Sequence, residues 1–213
     1  MSTGSATGGK DPLRTYRSKR RFGTTTEPEG REESESGASG GERGGESRFV
    51  VQIHDATTLH FDFRLEVEGV LKSWSVPKGP STDPHDKRLA MPTEDHPLAY
   101  RTFEGVIPEG EYGAGPVIVW DTGGYEPLKR DFPGALDRGH VSFALHGSKL
   151  HGAWALTRFR DGGDGEREAW LLVKENDGRA GRRHGTPDPL RARSALSGRT
   201  LRQVADAGGP APP

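Results

Sequence analysis

Residues 48–76 read RFVVQIHDATTLHFDFRLEVEGVLKSWSV, and this stretch decides the fold. Arg48–Ile53 reads as a strand. His60–Glu66 alternates strictly between polar and apolar residues, and Val70–Val76 follows a Glu68-Gly69 turn, so the two form a hairpin. Side chains on a strand point alternately to opposite faces. Phe61, Phe63 and Leu65 therefore share one apolar face suited to a core. His60, Asp62 and Arg64 share the other, and His54 closes the preceding strand where a tight loop can return it beside His60.

Further strands are expected at Arg88–Thr93, Val117–Asp121, Tyr125–Leu128, His140–Leu145, Leu150–Arg158 and Ala169–Glu175, punctuated by Gly, Pro and Asp. Many short strands at modest spacing predict a mainly β protein, a compact antiparallel β-barrel with a few short peripheral helices. Leu13–Phe22 reads as a short basic helix or arm. Residues 23–47 are low-complexity and expected to be flexible. Thr200 and Gln203 have capping-box spacing, so a short helix is expected over Thr200–Ala205. The expected organisation is an arm and flexible segment over 1–47, a barrel over 48–176, and a loop, short helix and tail over 177–213, with disordered ends.

Composition agrees with a small core and polar ends. Of 213 residues, 31% are hydrophobic and 29% charged, with 31 glycines and 16 prolines. Cysteine is absent, which excludes a disulfide scaffold and a thiolate metal site, so any transition metal must use His, Asp or Glu. No run of about 18 apolar residues occurs, and the first ten residues lack the apolar stretch of a secretory signal. The expectation is a cytoplasmic, bacterial-type protein with no membrane partner. A net charge of −1 argues against coating long DNA but not against gripping one terminal phosphate.

Two imidazoles and a carboxylate suit a divalent transition metal. A guanidinium beside them binds phosphate oxygens in a fork and stays charged. Metal and Arg64 on one oxyanion would make a phosphoryl-transfer site. His96, in the turn Glu94–Tyr100, is a candidate phosphate ligand or general acid. Lys78, Arg88 and Tyr100 are candidate phosphate or sugar contacts. The segment 107–115, IPEGEYGAG, lacks the lysine of a P-loop and reads as a structured turn. His140, His146 and His151 read as structural. His60-x-Asp62 with His96 also fits, loosely, the facial triad of non-haem iron oxygenases. A non-catalytic module that recognises nucleic-acid ends is a third reading.

The runs FVVQIHDATTLHFDFRLEVEGVLKSWSVPKGP (49–80) and KRLAMPTEDHPLAYRTFEGVIPEGEYGAGPVIVWD (87–121) resemble the 3′-phosphoesterase domain of bacterial DNA ligase D. The likeness covers roughly residues 48–175 and suggests a stand-alone member. The resemblance implies an antiparallel barrel and a Mn-dependent enzyme, with Zn or Co as alternatives. It implies removal of a terminal ribonucleoside from DNA primer–template 3′ ends, and then of the 3′-phosphate, in end-joining repair alongside a separate ligase. His54, His60 and Asp62 match the family's metal ligands. Arg64 and His96 match the groups that hold the scissile phosphate, and Lys78, Arg88 and Tyr100 match accessory residues of the monoesterase step. Gln52 and Glu94 lie in matching motifs. Arg21 stands in the arm where the family pattern has an acidic residue, while Glu27 retains a second acidic position. Weak ribonucleoside removal is the expectation that follows.

Overall fold

The structure is a computed structural model that describes residues 11–30, 47–163, 165–178, 186 and 188–208. In chain order it contains α1 (Arg14–Ser18), β1 (Ser47–Asp55), β2 (Leu59–Val67), β3 (Val70–Val76), β4 (Arg88–Pro92), a short 3-10 helix (Leu98–Thr102), β5 (Gly105–Ile107), β6 (Gly115–Pro127), α2 (Phe132–Asp137), β7 (His140–Gly147), β8 (His151–Arg160), β9 (Ala169–Lys174) and α3 (Leu201–Ala207). Neighbouring strands run in the order β1-β2-β3-β4-β9-β8-β7-β6, and β6 pairs back with β1. Every pairing is antiparallel, so the expected barrel closes on eight strands, and β5 adds to the edge of β6. Closure leaves no long unpaired edge among the described residues.

The strand alternation divides the apolar residues between two clusters. Phe61, Phe63 and Leu65 point inward with Val51, Ile53, Phe143 and Trp154 into the main core. Val50, Leu71, Val117 and Val119 face outward and form a second cluster with Tyr16, Tyr100, Phe103 and Ile107. That outer cluster exists because the arm and the 3-10 helix lie over one side of the barrel. Glu68 and Gly69 have φ of 49° and 79°, the two positive values of a tight hairpin turn, as the β2–β3 reading expected.

Three departures have physical reasons. The separate strands expected at Val117–Asp121 and Tyr125–Leu128 are one, β6. The Gly123-Gly124 pair, read as a break, lies within it, because a Cβ on Gly123 would stand 2.2 Å from the His146 carbonyl oxygen. Glycine there permits close backbone approach rather than a turn. Helix α2 was missed because it has only six residues; Asp131 caps it by accepting from the Gly134 N–H, and Phe132 and Leu136 are buried. The arm is folded over residues 11–30, with Tyr16 fully buried and Glu27 nearly so. Helix α3 starts at Thr200 with the expected reciprocal capping box and sends Leu201 and Val204 into the main core. The low-complexity stretch 31–46 and both chain ends, on which the expectation of disorder falls, lie outside the described residues.

Candidate metal and phosphate site

Strand register brings the site together. His54 sits directly across from His60, and Gln52 across from Asp62, in the β1–β2 hairpin. All four, with Arg64, lie on the outward face, opposite Phe61 and Phe63. The two imidazole centroids are 5.0 Å apart. Nδ1 of His54 is 3.8 Å and Nε2 of His60 is 3.6 Å from the Asp62 carboxylate. Among the described residues these three form a group whose ligand atoms all lie within 4.8 Å of one another.

The remaining ring nitrogens settle the tautomers. His54 Nε2 is 2.7 Å from the Gly113 carbonyl oxygen, and His60 Nδ1 is 2.7 Å from that of Thr58. A carbonyl only accepts, so each facing nitrogen carries a proton, and in the neutral ring the other presents its lone pair toward Asp62. Orientation of an imidazole by a backbone carbonyl is what a metal-ligating histidine ordinarily has. The donor set therefore suits a divalent metal.

Arg64 is nearly inaccessible and fully positioned. Its Nε–H donates to Gln52 Oε1 (2.9 Å) and Nη2 to Asp62 Oδ2 (3.0 Å), while Nη1 lies 3.0 Å from His96 Nδ1. Gln52, fully buried, is itself held by donating to the carbonyls of Tyr100 and Phe103. A guanidinium has five N–H groups, so at least two of Arg64's stay uncommitted, one or more on each terminal nitrogen. Burial by itself raises the Asp62 carboxyl, but Arg64 and the two imidazoles outweigh it and hold the group well below the usual carboxylate range. Burial lowers the His60 imidazole, but its contacts with Asp62 and Thr58 outweigh that and leave it raised.

His96 stands behind Arg64 and belongs to no three-ligand cluster among the described residues, which removes it from a facial triad with His60 and Asp62. Its Nδ1 is 2.8 Å from the Glu94 carbonyl oxygen, and its Nε2 is 3.3 Å from Arg20 Nη2. Burial, then the Arg64 and Arg20 charges, push this imidazole well below its ordinary range, so the ring is neutral. A neutral ring between two cations suits positioning better than proton donation. Tyr100 packs its ring 4.7 Å from His96 and 5.0 Å from the Arg64 guanidinium carbon, and its hydroxyl donates to Glu27 (2.9 Å). Burial, then the Glu27 charge, push the phenol well above its usual pKa, so Tyr100 keeps its proton.

A cavity of about 330 Å³ opens over this group, with His54, His60, Asp62, Arg64, His96 and Tyr100 in its wall. Lys78 and Arg88 do not line it. Lys78 is exposed in the turn after β3, and Arg88 pairs with Asp86 at 2.7 Å. Arg21 also lies outside the cavity, with its side chain 71% exposed and paired with Glu111 at 2.7 Å. Glu27 is not free to meet a ribose, because its side chain is buried and its carboxylate is held by Arg20, Tyr100 and Thr25.

Four contributors were not assigned roles from sequence: Gln52, Glu94, Arg20 and Gly113. Gln52 was findable, since it shares a strand face with His54 at a spacing of two. Arg20 was not: it reaches Glu27 (2.8 Å), Glu94 (3.0 Å) and His96 only because the arm folds back across the barrel.

Fold and site together define a β-barrel protein with an external His-His-Asp centre that could hold a metal, beside a buried guanidinium. The chain belongs to the DNA Ligase D 3′-phosphoesterase domain family, whose model matches residues 52–158. It is 51% identical over 192 residues to the multifunctional non-homologous end joining protein LigD of Pseudomonas aeruginosa, a match covering 89% of this chain and 22% of that protein. The Mycolicibacterium smegmatis protein of the same name is 40% identical over 172 residues, covering 78% of this chain and 21% of that one. A LigD of Mycobacterium tuberculosis is 52% identical over 111 residues, covering 52% of this chain and 14% of that one. The chain thus spans about a fifth or less of the length of these relatives. No helix among the described residues is long and apolar enough to cross a membrane.

Proposed function

We propose that this protein is a Mn-dependent DNA 3′-end-healing phosphoesterase of bacterial end joining. It removes a terminal ribonucleoside as a phosphodiesterase and a 3′-phosphate as a phosphomonoesterase, working in the cytoplasm on primer–template ends that a separate ligase then seals. The observation that carries this reading is the pair of carbonyl-oriented imidazoles, His54 on Gly113 and His60 on Thr58, turned toward an ionised Asp62 beside Arg64. His54, His60 and Asp62 would hold the metal; when bound, it supplies Lewis-acid charge at a phosphate oxygen and lowers the pKa of a water.

The chain's own residues do the rest. Arg64 offers its uncommitted N–H groups to two phosphate oxygens, an interaction that strengthens as charge builds on them. Gln52 and Asp62 hold the guanidinium plane, so no orientation is lost when the phosphate arrives. His96 and Tyr100 wall off Arg64 from water, which strengthens its attraction for the anion. Lys78 and Arg88 act from the periphery, on sugar or upstream phosphates, consistent with their positions outside the cavity.

The test is incubation with a primer–template bearing a 3′-phosphate, with EDTA, with added Mn, Zn or Co, and in air or under nitrogen. Phosphate release restored by Mn and indifferent to oxygen is expected. Binding without release under every metal would make the protein a recognition module instead. Strict oxygen dependence would return the iron oxygenase reading.

A further inference from the structure

Tyr112 is an aromatic side chain, 51% exposed, in the wall of the cavity that holds His54, Asp62 and Arg64. A single exposed aromatic is ordinary on a protein surface. This one is held. Lys19 places its ammonium 4.5 Å from the ring centroid and 3.3 Å from the phenol oxygen. Lys19 is in turn fixed by Glu94 at 3.0 Å. The loop beneath is pinned by its neighbour Glu111, which accepts from Thr24 (2.6 Å) and pairs with Arg21 (2.7 Å). The next residue, Gly113, has φ of 78° and carries the carbonyl that orients His54. The ring is therefore linked, through one backbone unit, to a candidate metal ligand.

We propose that Tyr112 is the stacking platform for the nucleobase at the strand end. Its ring takes the π-face of a purine or pyrimidine while the attached phosphate lies against Arg64. This rests on the phosphoesterase reading for what the cavity holds. A flat, half-exposed ring in the wall of an anion site, with the Lys19 ammonium over one face and the base taking the other, is an arrangement that binds single-stranded ends without sequence preference. Arg21 then has a role in this chain: paired with Glu111, it stiffens the loop that carries the platform. The lysine contact stabilises the ring in place.

The experiment compares two primers with 3′-phosphate ends, one with an ordinary terminal nucleotide and one with an abasic tetrahydrofuran, by fluorescence anisotropy of the full chain in EDTA. The wild type is expected to bind the base-bearing end roughly tenfold more tightly. Tyr112→Phe should keep that ratio. Tyr112→Ala and Tyr112→Leu should bring it near one, and Leu separates loss of the π-face from loss of bulk. A ratio near one in the wild type, no measurable binding of either primer, or an undiminished ratio in Tyr112→Ala would overturn the platform. Phosphate release with Mn, measured separately on the same primers, tests the phosphoesterase reading. A wild type that discriminates between the ends but never hydrolyses them would sink that reading alone.

Discussion

The guanidinium of Arg64 donates from Nη2 to the Asp62 carboxylate at 3.0 Å, so one carboxylate faces both the candidate metal ligands and the proposed phosphate anchor. Arg64→Lys should lower the phosphoesterase rate about 10- to 100-fold, with a smaller effect on KM. An ammonium keeps the charge, but it cannot hold Gln52, Asp62 and a phosphate fork together. Steady-state kinetics on a 3′-phosphate primer is the measurement, and full activity in the lysine variant would show that charge alone suffices.

His60→Ala removes one of three converging donors. The ring lies opposite Phe61 and Phe63, so its loss opens no core cavity. Mn affinity, followed by the EPR signal of free Mn, should fall by roughly 100-fold or more, and turnover with it. The thermal midpoint of the metal-free protein should move by no more than about 4 °C. Unaltered Mn binding would remove His60 from the ligand set.

His96 sets a pH dependence of stability. Its imidazole titrates well below the ordinary 6.5 in the folded protein, because burial and then Arg64 and Arg20 disfavour its charge. Between those two values the unfolded chain binds the extra proton. Its contribution is therefore complete above about pH 6.5 and is lost as the pH falls below it. His60 titrates the other way, its raised pKa giving stability that is lost as the pH rises, so the comparison must be between proteins. From about pH 7.5 to about pH 5.5 the thermal midpoint in EDTA should drop less for His96→Asn than for the wild type. Parallel curves would mean that the ring is not kept neutral.

Tyr16 anchors the arm. It is fully buried, with its ring 4.9 Å from His96 and 6.0 Å from Tyr100, and its hydroxyl donates to the Pro28 carbonyl at 2.7 Å. Replacing a buried aromatic with alanine costs about 3–5 kcal/mol, more than a 20-residue arm can be expected to hold in reserve. Tyr16→Ala should release the arm, expose the bonds after Arg17 and Arg20 to trypsin, and cut activity roughly 10- to 100-fold through displacement of Arg20 and His96. Limited proteolysis followed by mass spectrometry reads the first effect directly; an arm as resistant as the wild type's would contradict the anchoring role.

Much of this molecule is written in local pattern. Strict alternation over 60–66 separates a core face from a polar face, because successive side chains on a strand have no other choice. The Glu68-Gly69 turn and the Thr200–Gln203 capping box are equally local, and both form as read. The pairing of His54 with His60 follows from a short loop between two strands. What alternation could not tell was whether the polar face meets water. Most of it does not: Asp62 and Arg64 are buried and only His60 stays partly exposed in the cavity wall, because residues 11–30 and the 3-10 helix lie over that face. Leu13–Phe22 reads in sequence only as a short basic helix or arm. Tyr16 and the Arg20–Glu27–Glu94 network make it a lid on the site, through contacts 74 residues apart in the chain that no periodicity encodes. Conversely, Lys78, Arg88 and Arg21 stand near the motifs in sequence but outside the cavity. Sequence proximity determines which strand or turn a residue is on, and only the closure of the barrel and the docking of the arm determine what that residue faces.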